Sequence, residues 1–163
     1  MSTPDRIVKS TVLRAPQSRV WRAISDAEAF GTWFGVAFDG KFAAGKTMTG
    51  KIVPTKVDPE IAKSQEPYTG MAFEVVVDRI EPERHFSFRW HPFAIDPKVD
   101  YTSEEKTRVV FELEAIDDKS TRLTITESGF DKVPLARRAQ AFSMNEGGWE
   151  AQTNLLAKYV HAS

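Results

Sequence analysis

The C-terminal part of the chain carries the feature that most limits its fold, a long stripe at helical spacing. Eight residues fall at alternating steps of four and three along it: Leu135, Ala139, Phe142, Glu146, Trp149, Thr153, Leu156 and Val160. This spacing predicts one helix of about 25 residues, about 38 Å long at 1.5 Å per residue. A helix of that length needs a large apolar surface to cover.

The residues from Val36 to Ser128 have mostly the pattern of β-strands. Apolar and polar side chains alternate there, with the apolar set including Phe86, Phe88, Trp90, Val109, Phe111, Leu113, Leu123 and Ile125. A further strand is predicted for 6–14, followed by two short helices, of which Ser25-Asp26 can cap the second. An antiparallel sheet leaves one apolar face exposed, and the long helix remains to cover it. We therefore predict an α+β protein with six or seven antiparallel strands.

Composition limits the class of protein further. A chain of 163 residues suggests one domain spanning 1–163. Its 22 basic and 23 acidic residues nearly balance, so there is no electrostatic reason to expect nucleic acid or an anionic membrane as a partner. Cysteine is absent, which excludes disulfides, thiol catalysis and cysteine-bound metal. Residues 1–10 lack the apolar segment of a secretion signal, and no apolar run could span a bilayer, so we expect a cytoplasmic protein.

Two weak motifs point toward cofactors, and the residues around them argue against both. Residues Gly40–Thr47 match the phosphate-loop pattern, but the following 48–54 segment has strand character where a phosphate-binding helix would begin. We therefore interpret the glycines as turns of a sheet. Among the histidines, His85 and His91 share a strand face with Arg89, which would repel a cation. No metal and no other cofactor is predicted.

Polar residues on otherwise apolar faces carry the functional hypothesis. Glu146 interrupts the helical stripe, and Glu127 continues the inward parity of Leu123 and Ile125. A charged group that faces a core must be paired, neutralised or reached by water. Either these carboxylates lie at wet ends of their elements, or they line a partly hydrated cavity. Gly147-Gly148 in mid-helix costs about 1 kcal/mol per glycine relative to alanine, which close approach of the sheet or of a ligand would explain.

Several short motifs, in order along nearly the whole chain, resemble the heat-shock protein 90 ATPase activator homologue family. They are Val12–Pro16, Val20–Ile24, Trp33–Phe34, Val77–Pro82, Thr121–Phe130 and Gly148–Trp149. The resemblance implies a helix-grip fold, in which a curved antiparallel sheet encloses a cavity against a long C-terminal helix. This fold is shared with START, birch-pollen-allergen-like and polyketide-cyclase domains. The family implies no catalytic residue, and the polar segments at 55–70 and 92–105 are predicted as loops at the cavity mouth.

The function predicted from these observations is the binding of a small hydrophobic molecule in the cavity. Such sites are mostly apolar, with a few polar groups that orient the ligand. The predicted lining residues are Trp33, Phe34, Phe38, Phe73, Phe88, Trp90, Phe111, Glu127, Phe142, Glu146 and Trp149. One alternative is a co-chaperone module that binds a chaperone through an exposed patch. The other is a cyclase or hydrolase, for which Glu127 with Glu146 is the one polar pair available.

Overall fold

The computed structural model describes residues 5–92 and 98–162 as seven strands and four α-helices. In chain order these elements are β1 Arg6–Leu13, α1 Gln17–Ser25, α2 Ala27–Phe34, β2 Val36–Phe38, β3 Thr47–Ile52, α3 Pro59–Gln65, β4 Ala72–Glu81, β5 His85–Trp90, β6 Thr107–Asp117, β7 Ser120–Ser128 and α4 Leu135–Ala162. Short 3-10 turns cover Glu66–Tyr68 and Phe130–Lys132. No helix in the described ranges combines the length and apolar character needed to cross a bilayer.

The strands form one curved sheet in the order β1-β7-β6-β5-β4-β3-β2, and every neighbouring pair is antiparallel. Register shifts interrupt the β4–β5 pair after Val77 and the β6–β7 pair after Ala115. Irregularities of this kind bend a strand and increase its twist. The predicted antiparallel sheet with a long C-terminal helix is therefore confirmed, and the architecture is that of the helix-grip fold.

Aromatic side chains fill the concave side of the sheet next to α1 and α2. Phe30, on α2, lies 6.1–6.4 Å, between ring centroids, from three sheet residues, Phe86, Phe88 and Phe111. All four side chains are at most 2% exposed. Rings at these separations add favourable edge and tilted contacts to the burial of their area. The space between sheet and short helices is thus packed core.

Helix α4 covers the remaining concave surface, but its buried face differs from the predicted stripe in the first half. Trp149, Leu156 and Val160 are buried as predicted, whereas Leu135 is 79% exposed and Glu146 is exposed. A strict alternation of threes and fours has a period of 3.5, so it rotates by about 20° per heptad on a straight helix of 3.6 residues per turn. The stripe therefore leaves the buried face toward the N-terminal end. There Ala141 and the half-buried Asn145 lie on that face instead.

The segment predicted as a loop at 55–70 contains α3, so that prediction is wrong. Asp58 begins the helix by accepting hydrogen bonds from the backbone N–H groups of Glu60 (2.9 Å) and Ile61 (3.4 Å), and Pro59 occupies the first turn. An acidic cap before proline is a helix-start signal. Lys158 of α4 also pairs with Asp58 and thereby lowers the pKa of its carboxyl. The insertion therefore contains an ordered helix that an ion pair joins to α4.

The phosphate-loop pattern, residues 40–47, covers the connection between the antiparallel strands β2 and β3 and ends at Thr47, the first residue of β3. The strand predicted after it is confirmed as β3. Of the second insertion, 92–105, residues 93–97 lie outside the described part of the chain.

Candidate functional site

An open cleft lies where the ends of strands β3, β4 and β5 meet α4. It has two adjoining parts, of about 330 Å³ and about 100 Å³, which share Phe34, Trp90 and Asn145. We call this space the aromatic cleft, and its lining residues are Phe34, Ile52, Met71, Ala72, Phe73, Glu74, Trp90, His91, Tyr101, Asn145, Gly148, Trp149 and Gln152. They come from α2, β3, β4, β5, α4 and the loops beside them, so the cleft depends on the assembled fold.

Four aromatic rings form the apolar part of the cleft. Phe34 ends α2, Phe73 and Trp90 project from adjacent strands, and Trp149 projects from α4. The centroid of Phe34 lies 6.1 Å from Trp90 and 6.2 Å from Trp149. Trp90 lies 5.6 Å from Trp149 and 5.8 Å from Phe73. Helix α2 can end at Phe34 because Gly35 takes a left-handed conformation with φ 101°, which glycine adopts without strain.

Glu127, at the end of β7, lies fully buried behind the two indoles. Its Oε2 accepts hydrogen bonds from Trp90 Nε1 (2.7 Å) and Thr107 Oγ1 (2.5 Å). Its Oε1 accepts from Trp149 Nε1 (2.8 Å) and Asn145 Nδ2 (2.9 Å). A carboxylate has about four acceptor sites, so these four neutral donors occupy its hydrogen-bonding capacity. These hydrogen bonds therefore offset the cost of burying the Glu127 carboxylate, and they fix the orientation of both tryptophan side chains.

Gln152 of α4 and Gln65 of α3 meet at the carbonyl of Phe34. Gln152 Nε2 donates to this oxygen at 3.1 Å and Gln65 Nε2 donates at 3.0 Å, which satisfies a carbonyl that α2 leaves unpaired at its C-terminal end. Gln65 also accepts from the N–H of Thr55 through Oε1, at 2.7 Å. The Oε1 of Gln152, in contrast, is buried and has no hydrogen-bond partner among the described residues.

The 98–106 segment lies over one side of the cleft and is attached to α4. Arg137 donates to Glu104 Oε1 from Nε (2.9 Å) and from a terminal nitrogen (2.5 Å), and to the carbonyl of Pro92 at 2.7 Å. The guanidinium also lies 4.8 Å from the ring centroid of Tyr101, a cation–π contact. His91 Nε2 lies 3.0 Å from the Glu104 carbonyl oxygen, which can only accept, so Nε2 carries a hydrogen.

The structure distributes the predicted site residues over several environments. Phe34, Phe73, Trp90 and Trp149 line the cleft, with Glu127 behind them. Three others, Trp33, Phe88 and Phe111, are at most 1% exposed in the packed core. Phe38 packs 5.1 Å from Phe42 and lines a hollow of about 420 Å³ beside α2. That hollow contains several charged residues and one aromatic ring, so it fits an apolar ligand less well than the cleft does.

Two predicted residues on α4 are absent from the cleft lining. Phe142 packs against Phe130 at 5.1 Å, and Glu146 is exposed on α4. The drift of the predicted stripe explains both positions. In their place α4 contributes Asn145, Gly148 and Gln152. Each of these residues lies one position before a residue of the predicted stripe, namely Glu146, Trp149 and Thr153, so the stripe alone did not indicate them.

The pairing that a cyclase or hydrolase would need does not form. Glu127 is 0% exposed with its acceptor sites occupied, while Glu146 is on the exposed surface of α4. The two carboxylates therefore cannot act on one substrate atom as acid and base. The chaperone-binding alternative stays a prediction.

A second polar cluster, on the outer face of the sheet, is structural. Asp78 accepts hydrogen bonds from Arg108 and from Ser87 Oγ (3.1 Å), and His85 Nε2 lies 3.1 Å from the same Oγ. Burial alone would raise the pKa of Asp78, but the bonds from Arg108 and Ser87 outweigh it and hold that pKa below its usual value. Burial and the charge of Arg79 lower the pKa of His85. The serine hydroxyl donates to Asp78, so it is not activated by the imidazole.

The fold and the cleft together define a class: a helix-grip domain with an aromatic cleft between sheet and C-terminal helix. The sequence agrees with this class. Residues 14–161 match the family model described as Activator of Hsp90 ATPase homolog 1-like protein, and the chain belongs to that family. No curated protein is significantly similar to it in sequence.

Solved structures share the fold. A protein from Mesorhizobium loti aligns with a TM-score of 0.69 and 19% identity, covering 97% of this chain and 98% of the other. One from Arthrobacter aurescens aligns with a TM-score of 0.71 and 17% identity, covering 97% and 87%. DynU16, a protein in the dynemicin biosynthetic locus, aligns with a TM-score of 0.66 and 22% identity. The alignment covers 98% of this chain and 48% of DynU16, so the chain spans about half of that protein.

Proposed function

We propose that this chain binds a small hydrophobic molecule in the aromatic cleft. The observation that carries the proposal is the set of aromatic rings along the cleft: Phe34, Phe73 and Trp90 line its larger part of about 330 Å³, within the size range of small-molecule sites, and Trp149 lines the smaller part. Two of these rings are held by hydrogen bonds to a buried carboxylate as well as by packing. A site whose rings are fixed before binding loses less conformational entropy when the ligand enters.

The position of the proposed site differs from the enclosed cavity expected from the sequence. The region between the sheet and the two short helices is filled by Phe30, Phe86, Phe88 and Phe111. The space for a ligand lies beside α4, where the ends of β3, β4 and β5 and the 98–106 segment leave the cleft open. A ligand would therefore enter from the solvent side without opening the core.

The glycine pair of α4 also supports this location. A Cβ added to Gly147 or Gly148 would meet no atom within 4 Å beyond the helix itself, so the sheet does not require either glycine. Gly148 lines the smaller part of the cleft, whereas Gly147 does not. Absence of a side chain at position 148 leaves room for a ligand beside Trp149.

The proposal is tested by a fragment screen read from the indole N–H signals of the 15N-labelled protein. Neutral apolar fragments are expected to shift the signals of Trp90 and Trp149. The Trp33 indole, which donates to the carbonyl of Ala23 inside the core, serves as the internal control. Gly148→Leu should abolish the shifts by filling the cleft, while Gly147→Leu, an equally large change on the same helix turn, should retain them. Absence of any fragment that shifts Trp90 and Trp149, or binding that survives Gly148→Leu, would contradict the proposal.

A further inference from the structure

Gln152, which lines the aromatic cleft, has a side-chain amide whose orientation is fixed and whose oxygen has no hydrogen-bond partner among the described residues. Gln152 Nε2 donates to the Phe34 carbonyl, and this bond determines which end of the amide is the oxygen. The Oε1 of the same amide is buried and unpartnered among the described residues. Gln152 lines the smaller part of the cleft together with Phe34, Trp90 and Trp149. A buried acceptor without a donor is unfavourable, and a ligand that supplies the donor removes this penalty.

Among the described residues, no other buried side-chain nitrogen or oxygen lacks a hydrogen-bond partner. The acceptor sites of Glu127 are occupied by four donors of the protein. Asn145 uses its amide nitrogen on Glu127, and His91 uses Nε2 on the Glu104 carbonyl. The buried polar group that lacks a partner is therefore an acceptor on the protein, and it requires a donor on the ligand.

The charges around the cleft disfavour an anionic ligand. Its lining residues include one carboxylate, Glu74, and neither lysine nor arginine. Arg137 lies over Tyr101, but its guanidinium is paired with Glu104. An anion would leave water without gaining a cationic partner, which is costly. Glu74 is exposed, so a cation would likewise gain little from it.

From these observations we infer the chemical class of the ligand, an inference that rests on the proposed function. The ligand is an uncharged aromatic molecule that bears an O–H or N–H group, such as a phenol or an N–H heteroaromatic. Its ring packs among Phe34, Phe73 and Trp90, and its donor binds Gln152 Oε1. The four rings supply apolar area and edge contacts, and the single acceptor sets the orientation.

The test compares naphthalene derivatives that differ only in the group at one ring position. The probes are 2-naphthol, naphthalene, 2-methoxynaphthalene and 2-naphthoate, each titrated while the Trp90 and Trp149 indole signals are followed. We expect 2-naphthol to bind about tenfold or more tightly than naphthalene and 2-methoxynaphthalene, which bracket it in size and lack the donor. We expect 2-naphthoate to bind most weakly. Equal affinities of the neutral probes, or tightest binding by the anion, would overturn the inference.

Two glutamine variants locate the donor's partner. Gln152→Met should reduce the affinity for 2-naphthol to that for 2-methoxynaphthalene and leave the latter nearly unchanged. Gln65→Met removes the other glutamine that donates to the Phe34 carbonyl, and it should preserve the preference for 2-naphthol because Gln65 does not line the cleft. Melting temperatures of both variants establish that each one folds. A preference that survives in Gln152→Met would assign the donor to another group and refute the inference.

Failure of the inference and failure of the proposed function give different results. If no naphthalene probe binds while other neutral fragments shift the Trp90 and Trp149 signals, the ligand class is wrong and the proposed function stands. If no fragment of any class shifts these signals, both are wrong.

Discussion

The buried carboxylate of Glu127 orients two aromatic rings of the cleft, although its own acceptor sites are occupied by donors of the protein. Its four donors come from β5, β6 and two turns of α4. A carboxylate is suited to this role because it is acceptor-only when ionised, so it can bind two indole N–H groups, an amide and a hydroxyl together. Trp90 and Trp149 thereby have their ring faces held beside the cleft.

Substitution of Glu127 by glutamine tests this role. The amide would direct an N–H₂ group at two donors, so about two of the four hydrogen bonds should be lost, with a destabilisation of about 1–3 kcal/mol or more. Urea unfolding measures the change, and the 15N indole spectrum should show a shifted Trp90 or Trp149 signal.

Glu146→Gln is the matched control. Glu146 is exposed, and it lies on α4 between Asn145 and Trp149, whose side chains donate hydrogen bonds to Glu127. A surface change of this kind should alter stability by no more than about 0.5 kcal/mol. Equal effects of the two substitutions would contradict the assignment of Glu127 as the buried positioning residue.

The elements differ in how well the sequence predicts them, and the difference follows from their periods. A strand has a period of two residues that does not drift, so the inward positions Val109, Phe111, Leu123 and Ile125 were predictable, and Glu127 with them. The helix stripe drifts by about 20° per heptad, so its prediction held near Trp149 and Val160 and failed at Glu146. The partners of Glu127 could not be predicted, because they lie 18 to 37 residues away in sequence.

The attachment of the 98–106 segment to α4 predicts that loss of this attachment destabilises the segment beside the cleft. The side chains of Arg137 and Glu104 are 18% and 14% exposed, so their pair is more than a surface ion pair. Arg137→Gln should leave the Glu104 carboxylate partly buried without its cation and destabilise the segment by about 1–3 kcal/mol. Hydrogen exchange should accelerate in residues 99–106 while the β6–β7 pair stays protected.

Lys158→Gln provides the comparison for that experiment. Lys158 also pairs with an acidic residue, Asp58, across to another element, but at the opposite end of α4 from Arg137. Its loss should leave exchange in 99–106 unchanged. Unchanged exchange in Arg137→Gln as well would show that other contacts hold the segment.

In the molecule as a whole, the two faces of the sheet carry different sets of residues. The concave face carries the packed aromatic core and the cleft, whereas the convex face carries the cluster of Asp78, His85, Ser87 and Arg108, which joins β4, β5 and β6. Two of these strands, β4 and β5, also carry Phe73 and Trp90, so the convex cluster and the cleft share the same strands. Its ionisable members make the stability of the sheet dependent on pH.

The sign of this dependence follows from the lowered pKa values of His85 and Asp78. Burial and Arg79 lower the pKa of His85 below 6.5, so between that value and its folded pKa the unfolded chain binds more protons than the folded one. The contribution of His85 is therefore present above pH 6.5 and is lost as the pH falls through the folded pKa. For Asp78 the loss begins below its unfolded pKa of 3.8.

The urea midpoint should fall when the pH is lowered from 7.5 to 5.5, and His85→Gln should reduce that fall. His161→Gln, on the exposed end of α4, should not reduce it. A fall that is identical in the wild-type protein and in His85→Gln would show that the convex cluster does not couple protonation to folding.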